Sequence, residues 1–341
     1  MDIALVYLLL IGFGILVYVL LDGFSLGVGI ISPLLKKSDA EGIDGKSVDE
    51  KGIAMKSLSH IWDSNQTWLV FGGVVLFVAF PAVYAFVLSN LYLPIILMLV
   101  ALIFRGVAFE FRFKADASQK WWDLSFSLGS LIATFCQGLI LGALVGEMSS
   151  HKTMADPVEW LTPFSILTGF ALVAGYSLLG SCWLVRKTEG ALHVRVKNMA
   201  KFLLIAMLGF LAVVSTWMLI EQPSIAERWL VFPDSLILVP LPLLTMFFAF
   251  KMWGLLKADK DPGLKPLGLA MGLFMTAFGG LVAGVFPYII PGRLTIWEAI
   301  APDKTVYFTL VGILIFIPVI ITYNIFSYRT FSGKTSMKDG Y

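Results

Sequence analysis

The feature that most constrains this chain is a series of uninterrupted apolar runs, each long enough to cross a bilayer as a helix. Short gaps between them hold nearly all the charge. The hydrocarbon layer of a membrane takes about 20 helical residues, and only helices or closed barrels satisfy their own backbone there. The alternating ten-residue segments of a barrel are missing. Hydrophobic residues are 58% of the 341 and charged residues 14%, too little polar surface to coat a soluble domain of this size. The sequence therefore predicts an all-α integral membrane protein. Nine spans are expected, at 3–33, 66–88, 90–109, 123–147, 162–185, 200–220, 231–256, 267–290 and 306–328. The second and third are expected to join tightly around Ser89 and Asn90. No cleavable leader is expected, since the opening MDIALVYLLL lacks a basic stretch.

Nine spans place 21 of the 25 Lys and Arg residues on the side of the first loop and the C-terminus. Lys152, Arg228, Arg293 and Lys304 fall on the other side. This asymmetry predicts an outside N-terminus and a cytoplasmic C-terminus. The polar stretch 36–58 reads as a mobile cytoplasmic loop. Cys136 and Cys182 sit inside apolar runs and form no CxxC pair, so neither a disulfide framework nor a thiolate metal site is expected. FGGVVLFVAFP (71–81) and FGGLVAGVFP (278–287) form a weak internal echo, each ending in Phe-Pro.

Inside the first run stands Asp22, an acid costing roughly 2.5–3.5 kcal/mol at mid-membrane on insertion scales. It lies in LDGFSLGVG, where Gly23 and Gly27 form a G-xxx-G pair that lets another helix approach closely. An ion or proton site facing the protein interior is the first reading, and a structural Asp bonded to a neighbouring helix is the other. HIWDSNQTWLV (60–70) packs Asp63, Ser64, Asn65 and Gln66 into one turn between Trp62 and Trp68. Asp63 suits an ordinary helix start, whereas the two amides suit the lining of a hydrated vestibule. Asp22 precedes Lys36 by about 21 Å at helical rise, so the two acids suggest proton uptake from the cytoplasm. FRGVAFEFRFK brings Arg105, Glu110, Arg112 and Lys114 to an inner helix end. The bland reading there is a structural charge cluster, snorkelling to the interface with a local ion pair. TEGALHVRVK (188–197) reads as a cytoplasmic connection, and FPYIIPGRLTIWEAIAP (286–302) as a rigid outer loop. His60, His151 and His193 all lie at span ends or in loops, which makes the chain by itself a poor redox protein, although an intramembrane Met could ligate iron. No P-loop, zincin or convincing dinucleotide motif occurs.

In these motifs the chain resembles subunit II of cytochrome bd-type terminal quinol oxidases, including the cyanide-insensitive branch. LDGFSLGVG, WDSNQTWLV, FRGVAFEFR, TEGALHVRVK, FPYIIP, TIWEAIAP and IPVIITYNIFSY carry the resemblance in order along nearly the whole chain. It implies two four-helix bundles (1–147 and 160–290) and a peripheral helix with a cytoplasmic tail (304–341), in a bacterial cytoplasmic membrane. It implies a haem-free subunit beside a subunit I that carries two haem b groups and haem d, in a complex that oxidises quinol and reduces dioxygen to water. A stabilising role and a proton route through Asp22, Asp63, Ser25, Asn65 and Gln66 follow from it, as does oxygen access or subunit contact at Trp62 and Trp68. A small single-helix accessory subunit and bound lipid or quinone are further expected partners. The family often has a second acid where this chain has Ser25, so a two-acid relay in the first helix is not expected. The alternative is a proton-coupled transporter with Asp22 as its coupling site, although the only candidate repeat is the Phe-Pro echo and no second intramembrane charge is evident for Asp22. A third reading is a scaffold in which Asp22 and Asp63 serve assembly alone.

Overall fold

A computed structural model describes residues 2–41, 47–146, 159–233 and 235–335. Lys46, His151, Lys152 and Lys338, which entered the sequence argument, lie outside these. The helices, in order, are α1 (Ile3–Ile31), α2 (Glu50–Lys56), α3 (Trp62–Ala79), α4 (Pro81–Phe111), α5 (Gln119–Val145), α6 (Pro163–Lys187) and α7 (Gly190–Glu221). They continue as α8 (Pro223–Leu230), α9 (Ser235–Leu238), α10 (Pro240–Lys257), α11 (Lys265–Val285), α12 (Ile296–Ala299) and α13 (Asp303–Thr330). Two small antiparallel hairpins pair β1 (Lys37–Glu41) with β2 (Ser47–Asp49) and β3 (Tyr288–Ile290) with β4 (Leu294–Thr295).

Among the described residues seven helices are long and apolar enough to cross a membrane: α1, α4, α5, α6, α7, α11 and α13. Two more, α3 and α10, have eighteen residues each, about 27 Å at helical rise. Both sit just under the thickness of the hydrocarbon layer, and the polar first turn of α3 makes it less apolar than the others. The helix ends are chemically plain. Asp2 caps α1 by accepting from the amides of Ala4 and Leu5 at 3.1 and 3.2 Å. Thr162 and Ser165 form a reciprocal capping box ahead of α6, whose first residue is Pro163.

The predicted boundaries change in four places. The span expected at 200–220 begins ten residues early, for α7 starts at Gly190 and takes in most of the expected connection 188–197. The second expected span, 66–88, ends early. Phe80 leaves helical geometry (φ −132°, ψ 64°) because the residue before a proline is pushed out of it, and Pro81 opens the next helix. The expected turn at Ser89 and Asn90 is instead a bend inside α4. Leu91 is non-helical there, and Pro94 three residues on cannot donate to the carbonyl of Asn90. The expected span 231–256 starts later, after the short α8 and α9. Within the expected loop 36–58 the described residues carry β1, β2 and α2, while 42–46 lie outside the described residues. Glu50 at the start of α2 is 2% exposed; it accepts from the Lys36 amide at 2.8 Å and pairs with Arg195 of α7. Ala54, Met55 and Leu58 join the main apolar core.

That core is built around α1, which packs on α3, α5 and α6. α4 lies along α5, α6 against α7, α10 against α11, and α13 against α3. The G-xxx-G expectation has a direct counterpart. A Cβ at Gly27 would lie 1.7 Å from the Tyr176 carbonyl oxygen, so α1 and α6 touch backbone to backbone. A second cluster gathers Ala4, Tyr7, Ala79, Phe80, Ile290 and Ile296 at the opposite end. There Tyr7 donates to the Val306 carbonyl at 2.6 Å, and Trp297 donates to Asp2 at 2.7 Å. The indole bond is the main cause holding the Asp2 carboxyl below its ordinary value. Both Phe-Pro pairs of the internal echo stand where helices stop, after α3 and after α11.

Candidate functional site

Asp22 sits on α1, nine residues before the helix end at Ile31, with no exposed surface. The tight α1–α6 contact excludes lipid on one side. On another, α4 brings in Arg105, itself without exposed surface. The guanidinium Nη2 lies 3.2 Å from Asp22 Oδ1, and the same carboxylate oxygen accepts from the Ser25 hydroxyl at 2.9 Å. Arg105 also donates to the Ser25 oxygen, so the three side chains close a triangle. Its remaining polar atoms are unsatisfied. Asp22 Oδ2 and the Nε and Nη1 of Arg105 are buried with no hydrogen-bond partner among the described residues. Buried polar atoms are rarely left so, and water or a partner chain ordinarily fills such positions.

This arrangement revises the sequence reading of Arg105. It does not snorkel to the interface with Glu110 and Arg112. The three side chains of that expected cluster part company. Arg112, 1% exposed, holds Asp49 at 3.0 Å and Asp123, while Glu110 is exposed on the surface near Lys114. Arg105 points inward because the ring of Phe109, one turn along, packs beneath its guanidinium, and because Gly129 of α5 makes room beside it. Asp22 thus does have a charged partner inside the apolar layer, contrary to the expectation that none was evident.

The turn 63–66 lies on the neighbouring helix α3. Asn65, fully buried, donates to the Leu21 carbonyl at 3.0 Å and accepts from the Tyr328 hydroxyl of α13 at 2.8 Å. One side chain thereby ties α3 to the residue before Asp22 and to the last helix. Gln66 is half-buried, its Nε2 among the unsatisfied atoms. Asp63 is exposed and accepts from the Ser64 amide at 2.8 Å, the ordinary behaviour of a helix start. Trp62 stacks on Phe109 at 5.2 Å between ring centres. Trp68 is 1% exposed, edge-on to Phe13 and Phe71, and its indole N–H has no hydrogen-bond partner among the described residues.

A second polar group went unnoticed in the sequence. Gln137 of α5 donates to Tyr18 at 2.7 Å and accepts from Tyr176 at 3.0 Å. Tyr18 is one turn from Asp22 on the same helix. A Gln in the middle of an apolar run was the available signal. Among the described residues the two histidines stand at or beside helix ends. His60 stacks on Phe331, His193 lies 3.0 Å from the Val185 carbonyl, and no three His, Cys, Asp or Glu side chains gather where they could hold a metal ion.

Comparison with known proteins agrees in one direction. A family profile described as cytochrome bd terminal oxidase subunit II matches residues 3–331. Cytochrome bd-I ubiquinol oxidase subunit 2 of Escherichia coli K12 is 27% identical over 98% of this chain and 94% of its own length. Cytochrome bd ubiquinol oxidase subunit 2 of Bacillus subtilis is 28% identical over 94% and 93%. Among solved structures, a chain of the bd oxidase from Geobacillus thermodenitrificans shares the fold. The TM-score is 0.81 at 15% identity, covering 97% of this chain and 99% of that one.

Proposed function

Because the chain belongs to the cytochrome bd terminal oxidase subunit II family, we propose that it is the haem-free subunit of a complex that oxidises quinol and reduces dioxygen to water. A companion subunit I supplies the two haem b groups and haem d in this reading. Reduction of dioxygen consumes protons, and the present chain contributes a route for them from the cytoplasm while stabilising its companion. The observation that carries the route is the buried Asp22–Ser25–Arg105 triangle, with its unsatisfied carboxylate oxygen and guanidinium nitrogens. Such atoms bind water, and water chains conduct protons. Asp22 is the proton-holding group. Ser25 passes a proton along its hydroxyl, and Arg105 supplies the counter-charge to the buried carboxyl group. Asp63, Asn65 and Gln66 line the approach from the helix mouth, Asp63 being the exposed member. Trp62 and Trp68 border it and face oxygen access or the companion subunit.

The same reading counts α3 and α10 as spans beside the seven, which gives nine with an outside N-terminus and a cytoplasmic C-terminus in a bacterial inner membrane. The packing of α1 with α3 and α5, of α4 with α5, and of α6 with α7 beside the α10–α11 pair supports two four-helix bundles. Helix α13 is peripheral, and its exposed Phe308, Val311 and Leu314 suit lipid, quinone or a single-helix accessory subunit.

The test is Asp22→Asn and Asp63→Asn, each in a complex purified with full haem content. Oxygen consumption and proton uptake from the inner side should both fall. Undiminished proton uptake in the haem-replete variants would leave only a scaffold.

A further inference from the structure

Gln137 of α5 stands between two buried hydroxyls, those of Tyr18 on α1 and Tyr176 on α6. With its nitrogen on one and its oxygen on the other, the amide accepts one hydroxyl hydrogen and leaves the other tyrosine's own hydrogen unmet. Turning the amide over only exchanges which tyrosine that is. Neither hydroxyl has a further hydrogen-bond partner among the described residues, and a buried donor left so is costly. More unmet atoms belong to the same packed helices. Asp22, one turn along α1 from Tyr18 and on the same face, has Oδ2 without a partner, and Arg105 has Nε and Nη1. Thr134 of α5, with no exposed surface, has its hydroxyl. Helix α5 runs opposite to α1, since Gly29 packs on Ser130 while Tyr18 meets Gln137. Ser130, Thr134 and Gln137 share one face of α5, so Thr134 faces the stretch of α1 that holds Asp22 and Ser25. A Cβ on Gly23, the residue after Asp22, would meet the Tyr176 ring at 3.0 Å, and one on Gly129 would lie 3.1 Å from the Arg105 Cβ.

We propose that ordered water links these atoms, and that Tyr18, Thr134, Gln137 and Tyr176 are positioning residues that hold it against Asp22. The chemistry of the set selects water. Arg105 repels a cation and Asp22 an anion, whereas water gives two hydrogens and accepts two. It therefore meets an unmet hydroxyl hydrogen, a carboxylate oxygen, a threonine hydroxyl and guanidinium N–H groups together. Its purpose rests on the proton-route reading. Asn65 reaches the α1 backbone beside Asp22 from α3, and this water extends the route across α1 toward α5 and α6. A proton leaving the Asp22 carboxyl joins a water oxygen as that water passes on one of its own hydrogens, so hydrogens and charge balance. Gln137 exchanges none; it fixes the two hydroxyls so that one of them donates toward Asp22.

The experiment uses the whole purified complex with full haem content. Electron cryomicroscopy at a resolution that shows waters should find one bridging Asp22 Oδ2 to the Tyr18 or Thr134 hydroxyl. Tyr18→Phe and Thr134→Val keep most of the packing and delete the hydroxyls. Each should slow oxygen consumption about tenfold, the equivalent of roughly one hydrogen bond. Each should also raise the solvent deuterium isotope effect on that rate, because proton delivery becomes the slow step. Damage to packing alone lowers the rate without raising the isotope effect. Tyr307→Phe, exposed on α13, should change neither. A dry contact around Asp22, or an unchanged rate and isotope effect in both variants, overturns the proposal. Should those variants be silent while Asp22→Asn still lowers proton uptake, the route survives and only the water link falls. Undiminished uptake in Asp22→Asn sinks the route itself, and with it the purpose assigned to the water.

Discussion

Replacing Arg105 by Met removes the guanidinium but keeps much of the side-chain volume, and it strands Asp22. At 3.2 Å and an effective dielectric constant of about 20, attraction between unit charges is about 5 kcal/mol. Without Arg105 the carboxylate keeps only the Ser25 hydroxyl, since its other oxygen has no partner among the described residues. Breaking one side of a buried pair typically costs about 3–5 kcal/mol, which is roughly a fifth or more of a typical protein's total stability. The double variant Asp22→Leu with Arg105→Met removes both charges and should recover most of that loss, because an apolar pair of similar volume often does as well. The assay is unfolding of the purified complex in mixed micelles by titrating a denaturing detergent, with haem content recorded alongside. The reasoning fails if Arg105→Met is as stable as the parent, or if the double variant is no better than the single one. Either result means that the two side chains do not meet in the folded protein.

Four further outcomes are expected. Gly27→Ala should destabilise the complex by about 3 kcal/mol or more, because the new methyl collides with the Tyr176 carbonyl oxygen. Gly12→Ala, with nothing within 4 Å of its Cβ, should be silent to within about 0.5 kcal/mol when both variants are compared by the detergent titration. Gln137→Leu leaves the hydroxyls of Tyr18 and Tyr176 without their shared partner and should cost about 2 kcal/mol in detergent titration; an unchanged midpoint would mean that water replaces the amide. Glu298 accepts from the amide and hydroxyl of Thr295, bonds that hold its carboxyl below the ordinary 4.5. A depressed folded value means the contribution is present above the unfolded value and vanishes as pH falls through the folded one. Exchange of the Thr295 amide, corrected for intrinsic rate, should therefore be slow at neutral pH and quicken below pH 4.5, whereas flat protection across that range would contradict the capping box.

What the sequence made legible was whatever depends on neighbours along the chain. Apolar runs declared the helices, and a lone acid in the first run declared Asp22. Helix periodicity is silent about which distant residue turns toward which. Arg105 stands six residues before the end of α4, close enough to an interface for snorkelling to be a reasonable reading. Only the packing of Phe109 and Gly129 aims it inward. Continuity of the apolar run over 66–88 likewise masked the stop at Phe80, although Pro81 was in plain view. In 36–58 the polar composition suggested a loop, yet Glu50 meets an arginine 145 positions away, a distance no local pattern encodes.

The Asp22–Arg105 contact joins residues 83 positions apart, which bears on how the protein is born. At about 5–20 residues per second, roughly 4–17 s separate synthesis of the acid from that of its cation. Throughout that interval the first segment must wait in or beside the translocon with a carboxylate that no arginine has yet met. Temporary shelter, from water in the insertion channel, a bound proton or an insertase, is thus a requirement of biogenesis. Slowing the ribosome between the first and fourth helices should lower the yield of inserted protein far more for this chain than for one carrying leucine at position 22.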